Sequence, residues 1–192
     1  MPTNDYHFIT HWRMEAALEE ITAILREAKD LPRWWSSVYL AVKELAPGDA
    51  DGIGKRIDLY TKGWLPYTLR WTFTVTEAHP LGFSLTAEGD FVGRGVWTFK
   101  PDGNFVDITY DWHIRAEKPL LKRLSFLLKP IFKMNHLWAM ARGEESLRLE
   151  LRRVRAKTSA EREAVPPPPP PTPNNPFSWL VAVLFQRKRF SL

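Results

Sequence analysis

Four side chains of this sequence stand where an apolar setting could sharpen their chemistry. Tyr67 and Tyr110 carry phenolic hydroxyls on otherwise apolar strand faces. Each needs a partner, which a protein group, a water or a ligand's polar head could supply. Glu144 falls between Ala141 and Leu147 on an apolar helical stripe, directly after Gly143. A carboxylate facing an apolar cavity has a raised pKa and can act as a general acid or base. A slight rotation of the helix would instead put Glu144 at the wet edge, paired with Arg148 four residues on. His136 lies beside the same stripe, within reach of a cavity or of solvent. Other chemistry is excluded. There is no cysteine, hence no disulfide, thiolate metal site or cysteine nucleophile. No nucleophile elbow, P-loop or dinucleotide fingerprint occurs. His7 and His11 share a strand face, but four residues of strand set them roughly 13 Å apart, too far for one ion. Asp107, Asp111 and His113 share the polar face of the last strand. No metal site and no cofactor is expected.

The elements that must position these groups are legible from periodicity. "YHFITHWR" at 6–13 alternates as a strand, and "MEAALEEITAILREAKD" sets Ala17, Ile21, Ile24 and Leu25 at helical spacing. Asp30 and Pro32 open a second short helical turn that carries Trp34 and Trp35. About six strands joined by short turns follow, which implies an antiparallel meander. Leu59 and Thr61 alternate with Asp58 and Lys62. Tyr67, Leu69, Trp71 and Phe73 share one face against Thr68, Arg70 and Thr72. Phe83 and Leu85, then Trp97 and Phe99, and finally Tyr110 and Trp112 continue the apolar face. Gly93 and Gly95 lie on that face and either leave room for a ligand or let the sheet bend. With one face apolar and one polar, the sheet needs a cover. Residues 119–157 supply it as a helix that Pro130 should break or kink. Its expected apolar stripe is Met134, Leu137, Ala141, Leu147, Leu151 and Val154.

The 192 residues suffice for one domain with a real core. The body ends near residue 158. Residues 159–176, with "VPPPPPPTPNNP", read as a semi-rigid polyproline spacer. Residues 177–192 form an apolar and basic tail, "FSWLVAVLFQRKRFSL". Its apolar run is too short to cross a bilayer. It suits a membrane interface, with Arg187, Lys188 and Arg189 on anionic headgroups, or docking on its own domain or a neighbouring copy. The N-terminus lacks a signal-peptide core, so a cytoplasmic protein is expected, peripheral to the inner membrane face if the tail binds there. The net charge of +5 carries no nucleic-acid motif with it, and nucleic acid is not an expected partner.

The order of strand, two helices, antiparallel strands and long helix resembles the helix-grip fold of the SRPBCC superfamily, which includes START and birch-pollen-allergen proteins. The nearest resemblance is to the polyketide cyclase/dehydrase-like group. It is carried by "LPRWWSSV", "GRGVWTFKPDGNFVDITYDW" and "NHLWAMARGEESLRLEL", and spans residues 6 to about 157. The resemblance implies an α+β fold: a curved antiparallel sheet wrapped around the C-terminal helix, with an apolar cavity between them. Such cavities hold lipids, polyketides, hormones or quinones. The expected lining is Trp34, Leu59, Tyr67, Leu69, Trp71, Phe73, Phe83, Leu85, Trp97, Phe99, Tyr110, Trp112, Leu137 and Ala141, with Trp35 in the core and Trp34 at the rim. Two functions follow: binding of a hydrophobic small molecule, or a cyclase, aromatase or dehydrase activity using Glu144, Tyr67, Tyr110 and His136.

Overall fold

The computed structural model describes residues 4–175, with residues 120–128 as backbone only. β1 (Asp5–Glu15) leads into α1 (Leu18–Arg26), a 3₁₀ turn (Ala28–Asp30) and α2 (Leu31–Trp34). Six strands follow: β2 (Tyr39–Ala46), β3 (Arg56–Lys62), β4 (Thr68–His79), β5 (Gly82–Gly89), β6 (Phe91–Asp102) and β7 (Phe105–Ala116). α3 (Pro119–Arg155) and a short α4 (Ser159–Glu163) complete the described elements.

The seven strands form one antiparallel sheet in the order β1-β7-β6-β5-β4-β3-β2. Each neighbour in sequence is a neighbour in the sheet, except that β1 closes against β7, with Asp5 opposite Arg115 and Glu15 opposite Phe105. The alternation read from the sequence sets the buried face. Trp12 and Met14, Ile57 and Leu59, Leu69 to Val75, Phe83 to Ala87, Trp97 and Phe99, and Val106 to Ala116 all turn inward at period two. Register slips between Val75 and Glu77 and at both ends of β2 bend the sheet.

α3 covers that face, running past α2, β1 and β7. Two expectations for it are corrected. It is one helix with Pro130 inside it, not two pieces. Its buried stripe is also phased differently. Met140, Gly143, Leu147, Glu150 and Leu151 face inward, while Met134 and Leu137 are about half exposed, as is Val154. The reason lies at Gly143, where a Cβ would come within 2.6 Å of Trp35 Cη2. The helix docks by its smallest residue on the largest side chain of the α2–β2 junction. Ser146 beside it is fully buried as well. The polar member of this face, Glu150, accepts hydrogen bonds from Arg33 at 2.7 Å and Arg153 at 2.9 Å. A carboxylate only 2% exposed is thereby neutralised from both sides.

The proline-rich stretch is seated on the body. Pro166 accepts from Arg153 at 3.0 Å and Pro169 from Ser36 at 3.3 Å. The Thr172 hydroxyl, buried, donates to the Gly63 and Trp64 carbonyls at 3.2 Å each. We call residues 165–174 the strap. The tail beyond residue 175, with the contacts expected of it, lies outside the described residues.

Candidate functional site: an apolar cavity between helix and sheet

Between α3 and one end of the sheet lies a cavity of about 120 Å³. A site of roughly this size admits a single benzene ring. Its floor is β4 and β7, through Leu69, Trp71, Tyr110, Trp112, Ile114 and Ala116. Its roof is α3, through Phe132, Asn135, His136, Ala139 and Met140. β1 contributes Tyr6 and Phe8. The α2–β2 junction contributes Trp35, Val38 and Tyr39, and the β3–β4 connection closes one end with Thr61, Lys62, Gly63 and Tyr67.

The expected site residues divide by position along the strands. Tyr67, Leu69, Trp71, Tyr110 and Trp112 line the cavity. Leu59, Phe73, Phe83, Leu85, Trp97 and Phe99 share the inward face but pack away from the cavity, as core. The sheet is longer than the cavity, and alternation alone does not say which stretch of it is lined by space. Trp97 stacks on Tyr110 at 4.2 Å between ring centres and holds it from behind. Leu137 and Ala141 are exposed on the outer side of α3, a consequence of the phase set by Gly143.

Trp35 is in the core as expected, at 2% exposure, but Trp34 is not at the rim. Trp34 is fully buried and lines nothing, whereas Trp35 lines the cavity. The two rings stay 5.5 Å apart at 32°, because the chain leaves α2 between them. Trp35 also meets Trp12 and Tyr39 edge-on.

Glu144 is not in the cavity. It accepts a hydrogen bond from Arg148 at 2.6 Å at the helix edge. His136 does line the cavity, stacked on Phe8 with ring centres 4.1 Å apart. Burial pulls its pKa down to about 4, so its imidazole is neutral at pH 7. Burial raises the phenols of Tyr39, Tyr67 and Tyr110, with Tyr39 adding to the shift at Tyr110. The hydroxyls of Tyr39 and Tyr110 have no protein hydrogen-bond partner among the described residues, and neither is sealed in the packing. They offer donors to the cavity.

Sequence reasoning missed Tyr39, Lys62 and Asn135. Tyr39 has a signal, an aromatic hydroxyl at the start of a strand directly after the tryptophan pair. Lys62 alternates to the polar face in the sequence, yet is 2% exposed, because the strap covers it. Asn135 fits against Gly63, where a Cβ would come within 2.7 Å of its Cγ, and accepts from the Leu65 amide at 3.0 Å.

The other face of the sheet gathers His7, Asp111 and His113. Their ligating atoms lie within 4.8 Å of one another, and this trio could hold a metal ion. Spacing along one strand hides the cluster, because the register places His7 opposite His113 on the neighbouring strand. The His7 ring bonds to Asp111 at 2.9 Å. The group faces away from the cavity.

No family model matches the sequence, and no curated relative was found for it. Solved structures do match. A protein from Thermus thermophilus superposes with a TM-score of 0.63 at 15% identity, over 79% of this chain and 100% of that one. A START superfamily protein from Mycobacterium smegmatis gives 0.56 at 17%, over 73% and 98%. The Zhui aromatase/cyclase from Streptomyces sp. R1128 gives 0.56 at 18%, over 79% and 97%. The fold is therefore the START-like helix-grip fold.

Proposed function

We propose, from a helix-grip fold with this lining, that the chain binds a hydrophobic small molecule and does not transform it. The observation that carries the reading is the direction of the shifts in the cavity. A general acid or base works best with a pKa near the operating pH. Here the imidazole is pushed down to about 4 and the phenols upward, away from neutrality, while Lys62, the one lining group that burial shifts toward neutrality, has its ammonium tied to the Thr172 carbonyl and the Asn174 side chain. What remains is an apolar, aromatic wall with a few fixed donors, the usual make-up of a binding pocket.

The fold is shared with an aromatase/cyclase, so an enzyme is the competing reading. Its sharpest candidate in the sequence, Glu144, is held at the helix edge by Arg148. A membrane contact through the basic tail would suit a lipid-class ligand. Anionic vesicles should then bind the full chain and not a chain ending at residue 175.

The test is native mass spectrometry of the full chain purified without detergent, followed by solvent extraction. An apolar molecule should be released in near-stoichiometric amount, and adding it back should quench tryptophan fluorescence, less so in Trp35→Phe. A chain that carries nothing apolar, and whose fluorescence no apolar compound changes, would refute the reading.

A further inference from the structure

Among the described residues, one lysine and no arginine lines the cavity. That lysine, Lys62, is almost wholly buried, and no carboxylate stands within 4.0 Å of its ammonium group among the described residues. No described residue lining the cavity is acidic. Buried cations are ordinarily paired, because an isolated one is costly. Glu150, also 2% exposed, shows how this chain treats a buried charge when it pairs one, with an arginine on each side.

Lys62 is held differently. Its Nζ donates to the Thr172 carbonyl and, at 2.9 Å, to the Asn174 side-chain oxygen. Both acceptors are neutral and both belong to the strap. Burial lowers the Lys62 pKa, as it does for a cation without a full counter-charge. An ammonium has three protons, so two bonds to the strap leave one donor. Asn135 stands at the same end of the cavity, with its oxygen committed to Leu65 and its amide NH₂ carrying two further donors.

We propose that Lys62 anchors the acidic head, carboxylate or phosphate, of an otherwise apolar ligand, and that the strap is the lid over this anchor. The inference rests on the binding function above and adds the class of ligand. An anion would supply the counter-charge that the strap's two neutral oxygens only approximate. The apolar body of the ligand would lie along Trp71, Trp112 and Phe132. The cavity's about 120 Å³ takes one ring, well under the roughly 300–1,000 Å³ of sites for larger ligands. The strap covers the Lys62 ammonium rather than the cavity itself, so an acidic head reaches the anchor by displacing the strap's bonds to Lys62, which its bonds to Gly63 and Trp64 help hold in place.

The experiment is calorimetric titration of the full chain with three probes that share one body: decanoate, decyl phosphate and decanol. Decanoate or decyl phosphate should bind at least tenfold more tightly than decanol, and the tighter of the two identifies the head group. In Lys62→Met that preference should vanish, so that decanol and the acidic probes bind alike, and Lys62→Arg should keep it. Thr172→Val, which frees the strap from two carbonyls, should tighten the acidic probe several-fold. Equal binding of decanol and both acidic probes by the wild type would overturn the anchor, and leave the binding function standing. So would equal weakening of all three probes in Lys62→Met. If none of the three binds, both the anchor and the binding function fall.

Discussion

His136 makes the stability of this fold depend on pH in a window that can be worked out beforehand. In the unfolded chain it titrates near 6.5. Packed on Phe8 under α3 it titrates near 4. Between these values the unfolded chain binds more protons than the folded one, so stability falls as the pH falls. The contribution is complete above about pH 6.5 and fades toward pH 4. From pH 7 to pH 5 the loss is about 2 kcal/mol, and below pH 4 it levels off at about 3 kcal/mol. Glu20, held down to about 2 by its hydrogen bonds from Arg155, acts only at lower pH. Urea unfolding at pH 7 and pH 5 measures the effect, with His136→Phe as the control because the ring stack survives. The variant should lose about 2 kcal/mol less than the wild type between the two pH values. Losses equal to within about 0.5 kcal/mol, the order of scatter in such differences, would refute a buried neutral imidazole.

Gly143→Ala should destabilise the fold by about 1–2 kcal/mol in thermal or chemical unfolding, although alanine is the better helix former by about 1 kcal/mol, because its Cβ runs into the rigid Trp35 ring. A rise in melting temperature would show that α3 can retreat. Glu150→Ala should cost about 2–3 kcal/mol in the same assay, less than a wholly buried pair because Arg33 is half exposed and can rehydrate. Tyr110→Phe should leave stability within about 0.5 kcal/mol, since no protein group is orphaned, while ligand affinity measured by fluorescence titration falls by about 1 kcal/mol.

The strands are readable in the sequence because their two faces differ so sharply in polarity. Every second residue from Leu69 to Val75 and from Val106 to Ile114 is inward and apolar. The phase of α3 is not readable by the same rule. Its buried face includes Gly143, Ser146 and Glu150, while Met134, Leu137 and Val154 face solvent. Shape and a long-range ion pair decide the docking, and hydropathy weighs neither. The same limit explains the tryptophans. Neighbours in sequence should diverge, and one of them does reach the cavity, but which one depends on where Gly143 lets the helix approach. Lys62 shows the limit most plainly. Its strand position is polar, and it is buried by residues more than a hundred positions further along the chain.

The register of β1 also governs how the chain can acquire its fold. Among the described strands β1 pairs with β7 alone, roughly a hundred residues later. β2 to β7 can zip up as successive hairpins as each emerges, but β1 has to wait. At ordinary rates of synthesis that delay lasts roughly 5–20 s. Closing so long a loop costs about 4 kcal/mol of chain entropy before the pairing returns anything. Throughout that interval Trp12 and Met14, which end up at 3% and 1% exposure, have no sheet to cover them. The N-terminal strand is thus the segment most open to a chaperone or to a mistaken partner, and its docking is the step at which folding of this domain should be slowest.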